Sequence, residues 1–161
     1  MGDEGDRVAM RFARGCRAFA VTVGGSVVSY GWVSTGREWV GELAIEIGPA
    51  SGEAYIWNCF TLVPHRRQGH YRSVLQGIVA VARAEGIGRL WIGSVDVPAE
   101  KADADAGFAR VLRFEVSRYG PLRRLVVSHV PGVDGRLARD ARARLGVRGG
   151  SHLGLTRPRV H

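Results

Sequence analysis

The sequence predicts an α/β fold with a mixed, largely antiparallel central sheet and flanking helices. Three observations predict it. Apolar, β-branched runs separated by short turn signals fill residues 16–63. Helical spacing then takes over from Tyr71 to Ala84. A nearly continuous apolar run, RLWIGSVD at 89–96, follows it as a buried strand would. That strand–helix–strand order adds one parallel crossover to an antiparallel front half.

Residues 3–14 (DEGDRVAMRFAR) read as a short helix that turns Val8, Met10 and Phe12 inward and ends near Gly15. Two β-branched runs then flank Gly24-Gly25, a two-residue hairpin signal. A third run, EWVGELAIEI, ends at GPASG, and EAYIWNCFTLV follows, closed by Pro64. Together these make three or four sequential antiparallel strands. In the helix at 71–84, Tyr71, Val74, Leu75, Ile78, Val81 and Ala82 share one face, and Gly86 and Gly88 stop it. Pro98, a favoured first-turn residue, opens a short helix at 98–106. GFARVLRFEVSRYG and PLRRLVVSHV form a last strand pair turning near Gly120-Pro121. Beyond Pro131 the composition shifts to Arg, Ala and Gly, so residues 1–131 form the domain and 132–161 an Arg/Gly-rich tail. A marginal helix at 135–145 and disorder over 148–161 are expected there.

At 161 residues, with 45% apolar and 24% charged residues, the chain suits one soluble globular domain. No apolar run is long enough to span a bilayer, which argues against a membrane partner. The acidic start, MGDEGDRVAM, lacks the apolar segment of a secretory signal, so a cytoplasmic address is expected. Cys16 and Cys59 lie far apart with no CxxC spacing and no paired His motif, so no metal site is expected. A buried thiol is the simpler reading of each.

The net charge of +8 invites a nucleic-acid reading, and the distribution of charge weakens it. Residues 1–131 hold 16 Lys and Arg against 13 Asp and Glu, whereas the tail holds seven Arg against Asp134 and Asp140. Lys101 is the only lysine, a bias that points to genome composition. No arginine–aromatic interleaving of the single-strand-binding kind is present.

The stretch PHRRQGHYRS at 64–73 places a basic, glycine-pivoted turn at the start of the central helix. A helix N-terminus offers backbone N–H groups and a partial positive charge to an anion. Gly69 lets the backbone come close, and Arg66, Arg67 and Arg72 add charge at the rim, which suits a pyrophosphate. Neither GxxxxGK[ST] nor GxGxxG is present. A solvated basic loop capping the helix is the plain alternative.

What remains, Arg66-x-x-Gly69-x-Tyr71, resembles the (Gln/Arg)-x-x-Gly-x-(Gly/Ala) signature of the GNAT superfamily of N-acetyltransferases. Its surroundings add to the likeness. The strand FTLVP precedes the signature, a helix and a buried strand follow, and DVPAEKADADAGF carries Asp96, Ala99 and Ala106-Gly107-Phe108 at matching spacing. The resemblance covers about residues 17–130 and implies an acyl-CoA-dependent N-acyltransferase with acetyl-CoA as co-substrate. A small-molecule or peptide amine would be the acceptor. It implies that amides from Gln68 through Gly69, His70, Tyr71 and Arg72 to Ser73 grip the pyrophosphate of coenzyme A. The edge from Phe60 through Leu62 to Val63 would pair with the pantetheine, Asp96 would stand in the position of the usual Asn, and an N–H near Leu62 would hold the oxyanion.

The likeness has departures. Tyr71 replaces a small residue, Asp96 replaces Asn, and Asp103 stands where a tyrosine acid is usual. Cys59, Tyr55 and Tyr119 are the candidates to replace that acid, and Glu42, Glu46, Glu53 and Asn58 are the polar residues available as base. Glu46 and Glu53 have a plainer reading as solvated carboxylates, and Cys59 has no His-Asp set to make it a nucleophile. His65 and His70 flank the turn as rim residues. Alternation puts Tyr55, Trp57, Cys59 and Thr61 on one face of their strand, and Ala54, Ile56, Asn58 and Phe60 on the other. The first strand and helix of the family pattern are expected to be missing. A homodimer or a helper chain would then complete the N-terminal side. Two other functions stay open: a non-catalytic acyl-CoA-binding module of the same fold, and a basic nucleic-acid-binding protein.

Overall fold

The computed structural model describes residues 2–94, 97–147 and 151–155. In chain order the elements are α1 (Gly2–Ala13), β1 (Arg17–Val23), β2 (Ser26–Ser34), β3 (Glu38–Val40), β4 (Ile45–Ile47) and β5 (Glu53–Thr61). They continue with α2 (His70–Ala84), β6 (Arg89–Ile92), α3 (Val97–Asp105), β7 (Leu112–Tyr119), β8 (Leu122–His129), α4 (Gly135–Arg144) and β9 (Ser151–Leu155). The fold is the expected mixed α/β class with largely antiparallel strands. It forms two compact units, Met1–Glu38 with Gly48–Ala109, and Trp39–Ile47 with Arg110–His161.

The first unit is built on a four-stranded sheet in the order β1-β2-β5-β6. β1 and β2 turn at Gly24 and Gly25, whose φ values of 57° and 80° are those a tight hairpin requires. β2 pairs β5 antiparallel, and β5 pairs β6 parallel across the helical crossover. α2 lays Val74, Leu75, Ile78 and Ala82 on the sheet, where they meet Val33, Ala54 and Ile56. Each such aliphatic side chain contributes about 1.5–3 kcal/mol when fully buried. The helix stops at Gly86 (φ 75°), where the Ile87 N–H donates to the Ala82 carbonyl at 2.9 Å and the Gly86 N–H to the Arg83 carbonyl at 3.2 Å. This is the left-handed cap that the glycine permits.

Expected and observed elements differ in three places in this half of the chain. Met10 and Phe12 are 59% and 54% exposed, so of the three residues assigned inward only Val8 is half-buried, while Phe12 meets the core through its ring on Trp32. The run EWVGELAIEI divides into β3 and β4, because a turn intervenes with the Leu43 N–H on the Val40 carbonyl at 3.2 Å. β6 ends at Ile92, four residues before the end of its apolar run; Val95 and Asp96 lie outside the described residues.

In the second unit β7, β8 and β9 form an antiparallel sheet in that order. Leu125, Val127 and Val147 are its buried centre, packed by Leu43, Ile45, Leu112, Phe114 and Leu145. α4 starts at Asp134, whose carboxylate accepts from the N–H groups of Arg136 at 2.8 Å and Leu137 at 2.9 Å. The disorder expected over 148–161 is corrected for Ser151–Leu155, which pair with Val126–Leu122 of β8. A Gly- and Arg-rich composition lowers the apolar area a segment can bury, but the open edge of β8 supplies backbone hydrogen bonds that composition does not record.

Candidate active site

The site begins with an irregularity in β5. Trp32 of β2 pairs with Trp57, and Tyr30 pairs with Phe60, so three steps along β5 match two along β2. The extra residue falls at Asn58, which takes a φ of 44°. A bulge of this kind moves everything after it to the opposite face. Ile56 and Cys59 therefore both lie on the α2 side, with Gly31 beneath Cys59. Thr61 follows, its hydroxyl 2.8 Å from that of Ser29. Phe60 joins Trp57 on the other side, its ring 6.0 Å from that of Tyr30. The alternation expected from the sequence holds up to Trp57 and is reversed beyond it.

The same stretch lies beyond the end of the parallel pairing, which stops at Ile56 and Ile92. β6 ends there, and among the described residues no strand pairs that edge of β5 from Trp57 to Thr61. Leu62 turns its N–H to the Val28 carbonyl at 2.9 Å, which corrects its assignment as an oxyanion donor. Ladder alternation puts the polar groups of Thr61 on the opposite, open edge, and its carbonyl there accepts from Arg66 Nε at 3.1 Å. Phe60, Leu62 and Val63 are 40%, 42% and 67% exposed along this segment.

A short 3-10 turn, Val63–His65, carries the chain to α2. Arg67 (φ 62°) and Gly69 (φ 84°) both take left-handed conformations and aim the chain into the helix. No side chain caps this N-terminus and no acidic residue lies in its first turn, so its partial positive charge is not offset within the helix. The Arg72 guanidinium reaches back to 3.9 Å from where a Cβ on Gly69 would stand. Arg66 packs its guanidinium 5.6 Å from the Phe60 ring. Gln68 Nε2 donates to the Pro64 carbonyl, and the Ser73 hydroxyl to that of Gly69. The His65 and His70 rings stand 6.0 Å apart, and His70 Nε2 is buried with no partner among the described residues. Residues 66–73 thus come together as one basic turn; Asp96 falls outside the described residues.

The candidate acids and bases are less suited. Glu53 is buried, not solvated: its carboxylate accepts from the Ala50 N–H at 3.1 Å and Trp91 Nε1 at 2.8 Å, and pairs with Arg89 at 3.4 Å. It also starts β5, about 25 Å of strand before Thr61. Burial, then the charge of Asp103, pushes the Cys59 thiol up to about 12, so it stays protonated. Asn58 is exposed beside α1, where its amide oxygen accepts from Arg11 Nη1 and Nη2 at 2.7 and 2.9 Å in the satisfied orientation. Asp103 is 6% exposed and accepts from the Tyr71 hydroxyl at 2.7 Å and from the Ser94 hydroxyl. Tyr55 is buried in β5, while Tyr119, Glu42 and Glu46 belong to the second unit. Among the described residues no cluster of three His, Cys, Asp or Glu could hold a metal.

Compared with known proteins, residues 3–110 match the profile of the "Acetyltransferase (GNAT) family". The chain belongs to the GNAT acetyltransferase family. No protein of curated function matches its sequence significantly. Among solved structures it is similar to AAC(6')-Iy in complex with the bisubstrate analog CoA-S-monomethyl-acetylneamine, at 13% identity and a TM-score of 0.55, covering 73% of this chain and 81% of that one. It is also similar to the "Putative acetyltransferase from Agrobacterium tumefaciens str. C58", at 19% identity and a TM-score of 0.54, covering 74% and 76%. A third is the ribosomal-protein-S18-alanine N-acetyltransferase from Escherichia coli, at 18% identity, a TM-score of 0.51, and coverage of 69% and 64%. At these identities the structures share the fold.

Two GNAT features gain a physical reason from the geometry. The Gly107-Phe108 pair is the C-cap of α3: Gly107 takes a φ of 93°, the Phe108 N–H donates to the Asp103 carbonyl at 3.0 Å, and the Phe108 ring packs on the core. The strand before the signature runs on past the end of its pairing with β6. Ser94 and the bulge partner Gly31 escaped the sequence reading, which held Thr61 only within the edge from Phe60 to Val63. The glycine within SYGWV was the one available signal for the bulge.

Proposed function

We propose that the protein moves an acetyl or other acyl group from coenzyme A to a primary amine by direct attack. The observation that carries this is the uncapped, basic, glycine-opened N-terminus of α2, set directly after a strand whose outer edge is open. Amides of the first turn would hold the pyrophosphate, and Arg66, Arg67 and Arg72 would neutralise it. The polar groups of Thr61 on the open edge would pair with the pantetheine in place of Leu62. The thioester carbonyl would then lie in the gap beyond Ile56 and Ile92.

The neutral amine nitrogen adds to the carbonyl carbon, and the oxyanion is held by backbone N–H of the open edge. Collapse re-forms the carbonyl, breaks the C–S bond and releases the thiolate, while the nitrogen gives up its proton to water. An alkyl thiol has a pKa near 8.5, so this leaving group needs little help from an acid. Positioning supplies the rest of the rate. The solved neighbours named for aminoglycoside-type and ribosomal-protein alanine acceptors support an amine as acceptor.

One observation favours a second reading, a non-catalytic acyl-CoA-binding module. The Asp103 carboxylate that replaces the usual phenol is already engaged by Tyr71 and Ser94, and the Cys59 thiol, pushed up to about 12, is a weaker acid than the thiol it would protonate. Calorimetric titration with acetyl-CoA, against dephospho-CoA and ATP, tests the site; thiol release with an amine panel tests the reaction. Absence of acetyl-CoA binding would refute both readings, and binding without thiol release would select the second.

A further inference from the structure

We infer that Trp32, Trp57 and Asn58 form a pocket for a guanidinium group on the acceptor, which the protein's own Arg11 fills in the free state. This names the substrate class of the same site and rests on the acyl-transfer reading of β5.

The pocket lies on the face of β5 opposite α2, at the bulge. The Arg11 guanidinium carbon sits 5.0 Å from the Trp32 ring centroid and 4.6 Å from that of Trp57. The two indoles are 6.4 Å apart, and Phe12 adds a further wall, its ring 5.1 Å from Trp32. Asn58 closes the arrangement by accepting from both terminal nitrogens of Arg11. Its φ of 44° holds the amide in a left-handed backbone position that a regular strand would not use.

The chemistry selects a weakly hydrated, planar cation. Arg11 meets two π faces and a neutral amide oxygen, and no carboxylate among the described residues. Such a site compensates a guanidinium for lost water far better than a compact ammonium. It also carries an unmet donor: Trp57 Nε1 is buried with no partner among the described residues, and a guanidinium, which has no acceptor atom, leaves it unmet. A ligand with a carbonyl or hydroxyl oxygen near its guanidinium would satisfy that indole as well as the π faces.

Arg11 is a replaceable occupant. It comes from the last turn of α1, whose neighbours Met10 and Phe12 are both more than half exposed, and it reaches the pocket with its side chain. The pocket adjoins the reaction gap, since Asn58 and Cys59 are consecutive and the open edge of β5 starts there. An amine on the same molecule as the guanidinium would need only a short span to reach the thioester.

The test compares L-argininamide with L-norleucinamide, two primary amines with the same carbonyl, one lacking the guanidinium. Indole fluorescence is titrated with each in the wild type, R11A, R11M and R11A/W57L. Argininamide is expected to bind R11A and R11M at least tenfold tighter than the wild type, norleucinamide to bind none, and W57L to remove the gain. With acetyl-CoA present, thiol release should show a lower KM for argininamide in R11A at unchanged kcat. Equal binding of the two amides, or no gain in either Arg11 variant, overturns the inference while leaving acyl transfer standing. Cation-selective binding with no thiol release does the reverse: the pocket stands and the proposed reaction fails. If neither Arg11 variant folds, Arg11 is a structural clamp and the inference falls.

Discussion

A Cβ placed on Gly31 would stand 2.8 Å from the Cys59 sulfur and 3.3 Å from Val74 Cγ1. The bulge at Asn58 brings that sulfur over β2, and only glycine leaves room beneath it. Gly31→Ala should therefore destabilise the protein by about 1–3 kcal/mol, the usual cost of overpacking a filled core. Cys59→Ala removes the nearer obstacle, so G31A should cost less in that background. Urea denaturation of the four variants closes the cycle, and strictly additive costs would mean the sulfur is not what excludes a side chain.

The Cys59 thiol is also a pH marker. Its value rises from 9.0 to about 12 in the folded protein, so the native state keeps a proton that the unfolded chain loses first. Stability from this group is complete below about pH 9 and declines as pH rises toward 12. Melts between about pH 7.5 and 10.5 should show a steeper alkaline decline in the wild type than in C59A. Equal slopes would count against burial of the thiol. C59A should also keep its thiol-release activity, since a protonated thiol is no nucleophile and one at about 12 is too weak an acid to assist a thiolate leaving group.

Tyr71 and Asp103 join α2 to α3 through a 2.7 Å hydrogen bond to a buried carboxylate. Tyr71→Phe takes away that donor and leaves the carboxylate dependent on Ser94. A loss of about 1.5–3 kcal/mol is expected, the range for a hydrogen bond to a charged group. Chemical denaturation measures it, and a change below about 0.5 kcal/mol would show the bond to be incidental.

Gly69 opens α2 at a φ of 84°, with nothing nearer its missing Cβ than the Arg72 guanidinium at 3.9 Å. The demand at this position is therefore conformational, not steric. Gly69→Val should weaken acetyl-CoA binding at least tenfold, because the left-handed turn costs a β-branched residue about 1–3 kcal/mol. Gly69→Asn, which tolerates that region, should lose much less. Calorimetry on both variants checks the order, and equal losses would point to contact with the ligand instead.

Some of this molecule is legible in its sequence because the signals are local. The α2 stripe of Val74, Leu75, Ile78 and Ala82 and the Gly24-Gly25 hairpin each follow from neighbouring residues alone. Gly107 and Phe108, expected to start a strand, instead cap α3, and β7 begins at Leu112. The basic turn is equally local, since its charge, glycine and helix start are contiguous. The chemistry of β5 is not. One added residue at Asn58 reverses the faces of Cys59 and Phe60, and alternation has no way to register a bulge set by pairing with β2. Glu53 looked solvated for the same reason: its partners Trp91 and Arg89 are more than thirty residues away along the chain. The strand β9 was hidden by composition, since its stability comes from the edge it meets.

The cations around the Gly69 turn are all arginines, and Lys101 on α3 is the one ε-amine in the chain. Guanidinium keeps its proton throughout the physiological range and has no lone pair to offer a carbonyl. A protein that holds an activated acyl thioester beside its own surface runs the hazard of modifying itself. If the turn holds a pyrophosphate as proposed, positive charge gathers there without a competing ε-amine. Among amine side chains, composition confines self-acylation to Lys101.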